Sequence, residues 1–240
     1  MWSCFKVLRV GGDPAEGKGV SEYRDVNLRQ FIKFVLWRDT TFRGQYRIMK
    51  RLVGKDAVQA IVDVGANDGF YDSKSYPFVA HGWRALLIEP QPIAFERLSQ
   101  RYAGSARAVC LNLACGERPA KLPLWVGEDG DTTQATFAPE AHAHFANGCP
   151  RKATEVEVER LDTILARQGF PKDFGILTLD TEGWDHEVLN GLDLTVWQPR
   201  CIVTEDGERE KPGAKAAYLR QGGYRLIQHI PPDGFWLREN

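Results

Sequence analysis

Residues 58–240 predict an α/β fold: a mostly parallel seven-stranded sheet, helices on both faces, and an antiparallel hairpin at its C-terminal end. Three observations predict it. Short runs such as Ile61, Val62 and Val64, or Ala85, Leu86, Leu87 and Ile88, are apolar on both strand faces, as in a sheet covered by helices on each side. Helical stretches alternate with these runs, which implies parallel neighbours joined by crossovers. The first run ends in a glycine loop, from Asp63 through Gly65 to Gly69, where open α/β sheets bind ligands.

Taken in order, residues 11–21 hold Gly11, Gly12, Pro14, Gly17 and Gly19 and read as a flexible lead-in. Leu28, Phe31, Ile32, Val35 and Leu36 form a helical stripe within 27–38, and Phe42, Tyr46, Met49 and Val53 form a second. The expectation is a helical N-terminal extension or cap over 1–57. From Arg29 to Lys55 there are eight basic residues and one acid, Asp39. They read as a solvated basic face, or as a lid or patch facing an anionic substrate or membrane surface.

The first strand is expected over 60–64. Tyr71 to His81 has helical character, with Pro77 arguing for a late start. Strands over 84–89 and 107–114 flank a helix over 92–102. Residues 121–126 and 153–159 read as two extra strands around a polar loop, 127–151, that carries Thr132, Thr133, His142 and His144. The histidines have no acid or cysteine spaced to complete a metal site, so a solvated or substrate-side pair is expected. A helix over 161–168, a strand over 174–179, a helix over 184–191, a strand over 201–204 and a helix over 211–221 continue the alternation. Strands over 224–230 and 235–238, joined by a turn from Pro231 to Gly234, make the terminal hairpin.

At 240 residues, with 43% apolar and 26% charged residues, the composition is that of one ordinary globular domain. The net charge of −1 gives no global pointer to nucleic acid. Five cysteines form no C-x-x-C pair and are odd in number, which suits a reduced, cytoplasmic chain rather than a disulfide framework or zinc site. No signal-peptide core and no membrane span are expected.

The chemistry is expected where strands end in acids. Asp63-x-Gly65-x-x-x-Gly69 is not the dinucleotide pattern, because Asn67 stands where that pattern needs glycine to admit a pyrophosphate. A ligand without phosphate, such as S-adenosylmethionine, tolerates the bulkier loop, and Asp63 suits its ammonium and sulfonium. The plain alternative is a sharp strand-to-helix turn with Asp68 as a cap. Glu89 ends the second strand about 20 residues later, where a carboxylate accepts hydrogen bonds from ribose hydroxyls. The fourth buried strand delivers Asp180, Glu182 and Asp185. Three acids exceed what capping a helix requires, so Asp180 and Glu182 are assigned a functional role.

These pieces together resemble the FkbM-type S-adenosylmethionine-dependent methyltransferases. The resemblance runs over roughly Ala60 to Glu205, through Val62 to Tyr71, Ile88 to Pro92, Asn112 to Gly116, Val158 to Asp162, Leu179 to Gly191 and Pro199 to Glu205. Asp68 and Asp72 depart from the family's usual, less acidic loop. The resemblance implies a Rossmann-like class I methyltransferase fold and an S-adenosylmethionine cofactor held by Asp63, Gly65, Asn67, Gly69, Glu89, Asn112, Ala114 and Asp180. Asn112 and Ala114 belong to a segment that lies beside the adenine in that family. The expected reaction is O-methylation of a small-molecule hydroxyl on a sugar, glycan or polyketide-type product. Glu182 is the first candidate base, before Asp180 and His186. A divalent metal held by Asp180, Glu182 and Glu205 is an alternative, not the expectation. The competing readings are a nicotinamide-dependent oxidoreductase and a non-catalytic binding module.

Overall fold

In the computed structural model, which describes residues 39–127, 135–137, 139, 151–205 and 213–239, strand order alone locates the crevice in which a ligand can sit. The main sheet contains β1 (Val58–Val64), β2 (Arg84–Ile88), β3 (Ala108–Leu111), β7 (Phe174–Leu179), β8 (Cys201–Glu205), β9 (Tyr224–Ile230) and β10 (Asp233–Arg238), in the order β3-β2-β1-β7-β8-β10-β9. The first five are parallel, and β10 runs antiparallel to both β8 and β9. The chain builds outward from β1 to β3 on one side, then returns to place β7 on the other. The order reverses at β1, and open α/β sheets bind ligands beyond the carboxyl ends of strands at such a point.

Alternation along the strands sorts the core into two layers. Val62, Val64, Leu86, Ile88, Leu177 and Leu179 pack with Leu161, Ile164, Leu165, Val188, Leu189 and Leu219 of helices α4 (Leu161–Arg167), α5 (Asp185–Asn190) and α6 (Ala214–Gln221). Ile61, Ala85, Leu87 and Ile176 pack on the opposite face with Tyr46, Met49, Val53, Phe78 and Leu98 of α1 (Gln45–Val53), α2 (Tyr76–Ala80) and α3 (Pro92–Arg101). The predicted helices on both faces are therefore present.

Several boundaries differ from the sequence reading. The helix expected from Tyr71 is confined to α2, since turns fill 71–72 and Pro77 sits in its first turn. The strand expected over 107–114 divides. Asn112 donates through Nδ2 to the Glu89 carbonyl at 2.9 Å, and the chain leaves the main sheet there. Ala114–Cys115 (β4) instead pairs with β6 (Arg151–Glu159), which pairs with β5 (Ala120–Gly127) in a three-stranded sheet of order β4-β6-β5. The terminal turn shortens to Pro231 and Pro232, and Asp233 becomes the first residue of β10.

The second apolar stripe of the expected extension is seen in α1, which buries Tyr46, Met49 and Val53 against the sheet. Its outer face exposes Arg47, Lys50 and Arg51, and Arg43 is exposed in the turn before it, beside an open groove of about 530 Å³. The lead-in, the stripe over 27–38, His142 and His144 lie outside the described residues. Among the described residues no helix is long and apolar enough to cross a membrane, and Cys110, Cys115 and Cys201 are free thiols.

Candidate functional site at the sheet edge

The glycine loop is shaped by contacts of chain with chain. Gly65 has φ +86°, and a Cβ there would lie 1.9 Å from the Asp180 carbonyl oxygen. Its N–H donates to the Ile88 carbonyl at 2.9 Å, so one residue ties the ends of β1 and β2 beside the end of β7. Gly69 has φ +69°, and a Cβ there would meet Leu98 at 2.5 Å and Tyr102 at 2.8 Å. Asn67 also adopts a left-handed conformation, φ +47°, which asparagine tolerates better than most residues. Asp68 accepts from the Phe70 and Tyr71 N–H groups at 2.8 and 3.0 Å. It closes a local turn and does not cap a helix, since α2 begins only at Tyr76.

Glu89, just past β2, is 6% exposed. Its two oxygens accept from the N–H groups of Asn67 and Gln91, each at 2.8 Å. Burial pushes the Glu89 carboxyl up to about 7, against the lowering effect of those two donors, and the charges of Asp63 and Asp180 add to the rise. Asn112 sits beside it through its bond to the Glu89 carbonyl. Ala114 lies one step further into the small sheet, enclosed with Leu124, Val126, Val156 and Val158.

Asp63 occupies the α1–α3 face of β1, and its oxygens accept from Ser75 Oγ at 2.5 Å and Thr178 Oγ1 at 2.6 Å. Burial raises its carboxyl above the usual range, partly offset by those hydroxyls. Nearby, Lys74 is buried, with Nζ 2.9 Å from Asp180 Oδ2 and 3.2 Å from Asp233 Oδ1. Gln45, the first residue of α1, donates to Asp233 Oδ2 at 2.6 Å. Burial opposes the charge of Lys74, but Asp180, Asp233 and Asp63 outweigh it, so the ammonium is held more firmly than in water.

Asp180 is the most open of these acids, with 41% of its side chain exposed. It does not cap α5. The turn is closed instead by Asp185, which is 1% exposed and accepts from Thr181 N–H at 3.1 Å and Thr181 Oγ1 at 2.5 Å. Its other oxygen accepts from Glu205 N–H at 3.1 Å and faces Lys215 at 3.7 Å. Glu182 has φ +52°, and its carbonyl accepts from Thr136 at 3.0 Å. Trp184 donates to the Cys115 carbonyl at 3.1 Å and packs on Phe137. The small sheet thus grips the 182–184 turn. His186, a candidate base, is half-buried in the first turn of α5.

Glu205 stands between Asp180 and Asp233, since β8 lies between β7 and β10 and Asp233 pairs with Glu205. Its backbone is pinned by Asp185 on the N–H and by Lys215 on the carbonyl. Burial, together with Asp180 and Asp185, pushes its carboxyl up to about 7. Among the described residues no three histidine, cysteine or acidic side chains are disposed to hold a metal ion. The alternative built on Asp180, Glu182 and Glu205 does not fit this arrangement, because Lys74 already occupies the inner side of Asp180.

The fold brings Asp63, Gly65, Asn67, Glu89, Asn112 and Asp180 to the ends of β1, β2, β3 and β7. It sets Gly69 back against α3 and Ala114 in the small sheet's core. Sequence reading missed Lys74, Ser75, Thr178 and Asp233. None belongs to a glycine or strand-end pattern, and Asp233 between Pro232 and Gly234 reads as an ordinary turn residue.

A family model described as the methyltransferase FkbM domain matches residues 63–226, well over half of the chain. Among solved structures, the chain is similar to methyltransferase FkbM from Methylobacillus flagellatus KT, with 18% identity and a TM-score of 0.48 over 74% of this chain and 43% of that one. It is similar to monomeric WbdD with 13% identity and a TM-score of 0.42, over 90% of this chain and 42% of that one. It is also similar to magnesium protoporphyrin IX methyltransferase from Synechocystis PCC 6803 with bound SAM, with 10% identity and a TM-score of 0.41, over 89% and 85% of the two chains. The chain thus spans less than half the length of the first two. No curated protein sequence matches it.

Proposed function

Because the chain belongs to the FkbM methyltransferase family and has a Rossmann-like class I methyltransferase fold, we propose that it uses S-adenosylmethionine to methylate a hydroxyl group of a small molecule, such as a sugar, glycan or polyketide-type product. The observation that carries this reading is the set of carboxylates at neighbouring strand ends. Asp63, Glu89 and Asp180 converge where the strand order reverses, near enough for the first and last to raise the Glu89 carboxyl. A ligand bearing a sulfonium and an ammonium relieves that excess of negative charge, and a ribose supplies hydroxyls to an acceptor such as Glu89.

On this reading Glu89 holds the ribose, Asn112 borders the adenine, and the exposed Asp180 faces the cationic amino-acid end. When bound, the cofactor supplies an electrophilic methyl group on a cationic sulfur. The protein's part is to align the acceptor oxygen and exclude water, and alignment is worth up to about 7–11 kcal/mol in well-oriented reactions. A base assists by taking the hydroxyl proton, and it works best with a pKa near the operating pH. Glu205 meets that condition, with its carboxyl near 7 and its backbone pinned at two points. Glu182, on the turn held by Thr136, is the second candidate, and His186 the third.

Calorimetry with S-adenosylhomocysteine tests the cofactor, and transfer of labelled methyl groups to a panel of sugars and polyketide alcohols tests the acceptor. Glu89→Ala is expected to weaken binding by one to two decades, at roughly 1.4 kcal/mol per decade. A folded wild-type protein that ignores millimolar S-adenosylhomocysteine would overturn the reading.

A further inference from the structure

Lys74 is a buried cation on a loop, and among the described residues the charged groups that act on it most strongly are acidic. Asp63 approaches from β1, Asp180 from the end of β7, Glu205 from the end of β8 and Asp233 from the start of β10. Direct ion pairs go to Asp180 at 2.9 Å and Asp233 at 3.2 Å. Those two acids belong to strands separated by β8, so the ammonium spans the sheet edge beneath Glu205. The inner acid is fixed in its turn, since Asp233 is 4% exposed and accepts from Gln45. The outer acid is different: Asp180 has 41% of its side chain exposed and follows the last residue of its strand. A surface carboxylate of this kind is ordinarily free to swing, so its orientation is set by the ion pair behind it. The loop bearing Lys74 is itself tied down, because Thr40 donates to the Ser73 carbonyl and Ser75 donates to Asp63.

We propose that Lys74 is a positioning residue of the site: anchored by Asp233, it holds Asp180 as an oriented carboxylate facing the ligand and leaves Glu205 as the group that exchanges the proton. The inference rests on the cofactor reading given above and adds a residue to it. Asp180 and Asp233 share one cation whose charge is already committed. Glu205, whose carbonyl accepts from Lys215 and whose carboxyl stands beside Asp180 and Asp185, is the remaining acid of the cluster. Lys74 also restrains the rise of the Glu205 carboxyl, so removing the ammonium pushes that group further up.

The test uses the full chain and S-adenosylhomocysteine as probe, by calorimetry between pH 6 and 8, with circular dichroism to check folding. Lys74→Met is expected to bind at least tenfold more weakly than wild type, with the deficit growing as pH falls. Lys74→Arg, which keeps the charge, is expected to recover most of the affinity and the wild-type pH profile. Since Lys74→Met strands a buried carboxylate, the double variant Lys74→Met/Asp233→Asn provides a neutral, foldable background. A merely structural lysine predicts wild-type binding in that double variant, whereas a positioning role predicts that the loss of affinity persists there, because Asp180 has no cation behind it, with a weaker pH dependence, because Asp233→Asn removes a charge that raises the Glu205 carboxyl. Binding by the folded double variant that equals wild type across this range would overturn the proposal. Failure of wild type to bind would overturn the cofactor reading beneath it, so the two failures are distinguishable.

Discussion

Gly65 shows how much one residue can decide. Its missing side chain is needed by the protein itself, because the Asp180 carbonyl fills the place where Cβ would be. Gly65→Ala would add a left-handed alanine and a backbone clash, at a cost of roughly 2–4 kcal/mol. Urea denaturation should show that loss, and a variant within about 0.5 kcal/mol of wild type would contradict the geometry. Glu205 makes a prediction about pH. Its carboxyl lies near 7 in the folded chain and near the ordinary ~4.3 in the unfolded one. Between those values the folded chain binds the proton more readily, so the Glu205 contribution to stability falls as pH rises through the window. Glu205→Gln cannot ionise. It should gain on wild type by on the order of 1 kcal/mol between pH 5 and pH 8, measured as the shift in urea midpoint. The same substitution should depress methyl transfer.

At the scale of elements, the turn between β7 and α5 and the end of β8 behave as one unit. Asp185 holds Thr181 through two bonds and Glu205 through a third, and it faces Lys215 on α6. Asp185→Ala would leave part-buried donors without this acceptor and remove the carboxylate that faces Lys215, a lysine that is 8% exposed. A destabilisation of about 2–4 kcal/mol is expected. Hydrogen exchange should then accelerate in 181–184 and 201–205 together. If only one segment loosens, the two are not coupled through this carboxylate. The small sheet enters the same unit from the other side, through Thr136 on Glu182 and Trp184 on Cys115. In the sequence, the acid-rich stretch from Asp180 to Asp185 looked like a capped helix start with acids to spare. The division of labour among those acids came from partners more than 20 residues away, such as Lys74 and Lys215, and no local spacing encodes them.

For the molecule as a whole, two helical layers enclose a sheet whose central strands deliver Asp63, Glu89 and Asp180 to its carboxyl edge. A ligand gripped there touches β1, β2 and β7 at once and should stabilise the entire fold. S-adenosylhomocysteine at 100 times its dissociation constant should raise unfolding free energy by about 2.7 kcal/mol. Chemical denaturation with and without ligand measures this, and an unchanged midpoint at saturating ligand would argue against binding to the native state.

The amino-acid sequence determined which strands are buried, where β1 and β2 end, and which acids stand at those ends. Those properties are written in runs of neighbouring residues: Ile61 to Val64, Arg84 to Glu89 and Phe174 to Asp180 each carry their own signal. Tertiary structure decided what the acids face. Asp63 turned inward to Ser75 and Thr178, Asp68 closed a local turn, and Asp180 kept an open side with Lys74 behind it. The reason is physical. Apolar periodicity reports which backbone is covered, whereas the setting of a charge depends on groups brought beside it by crossovers, and a loop lysine or a β10 aspartate enters that setting only after the sheet has closed.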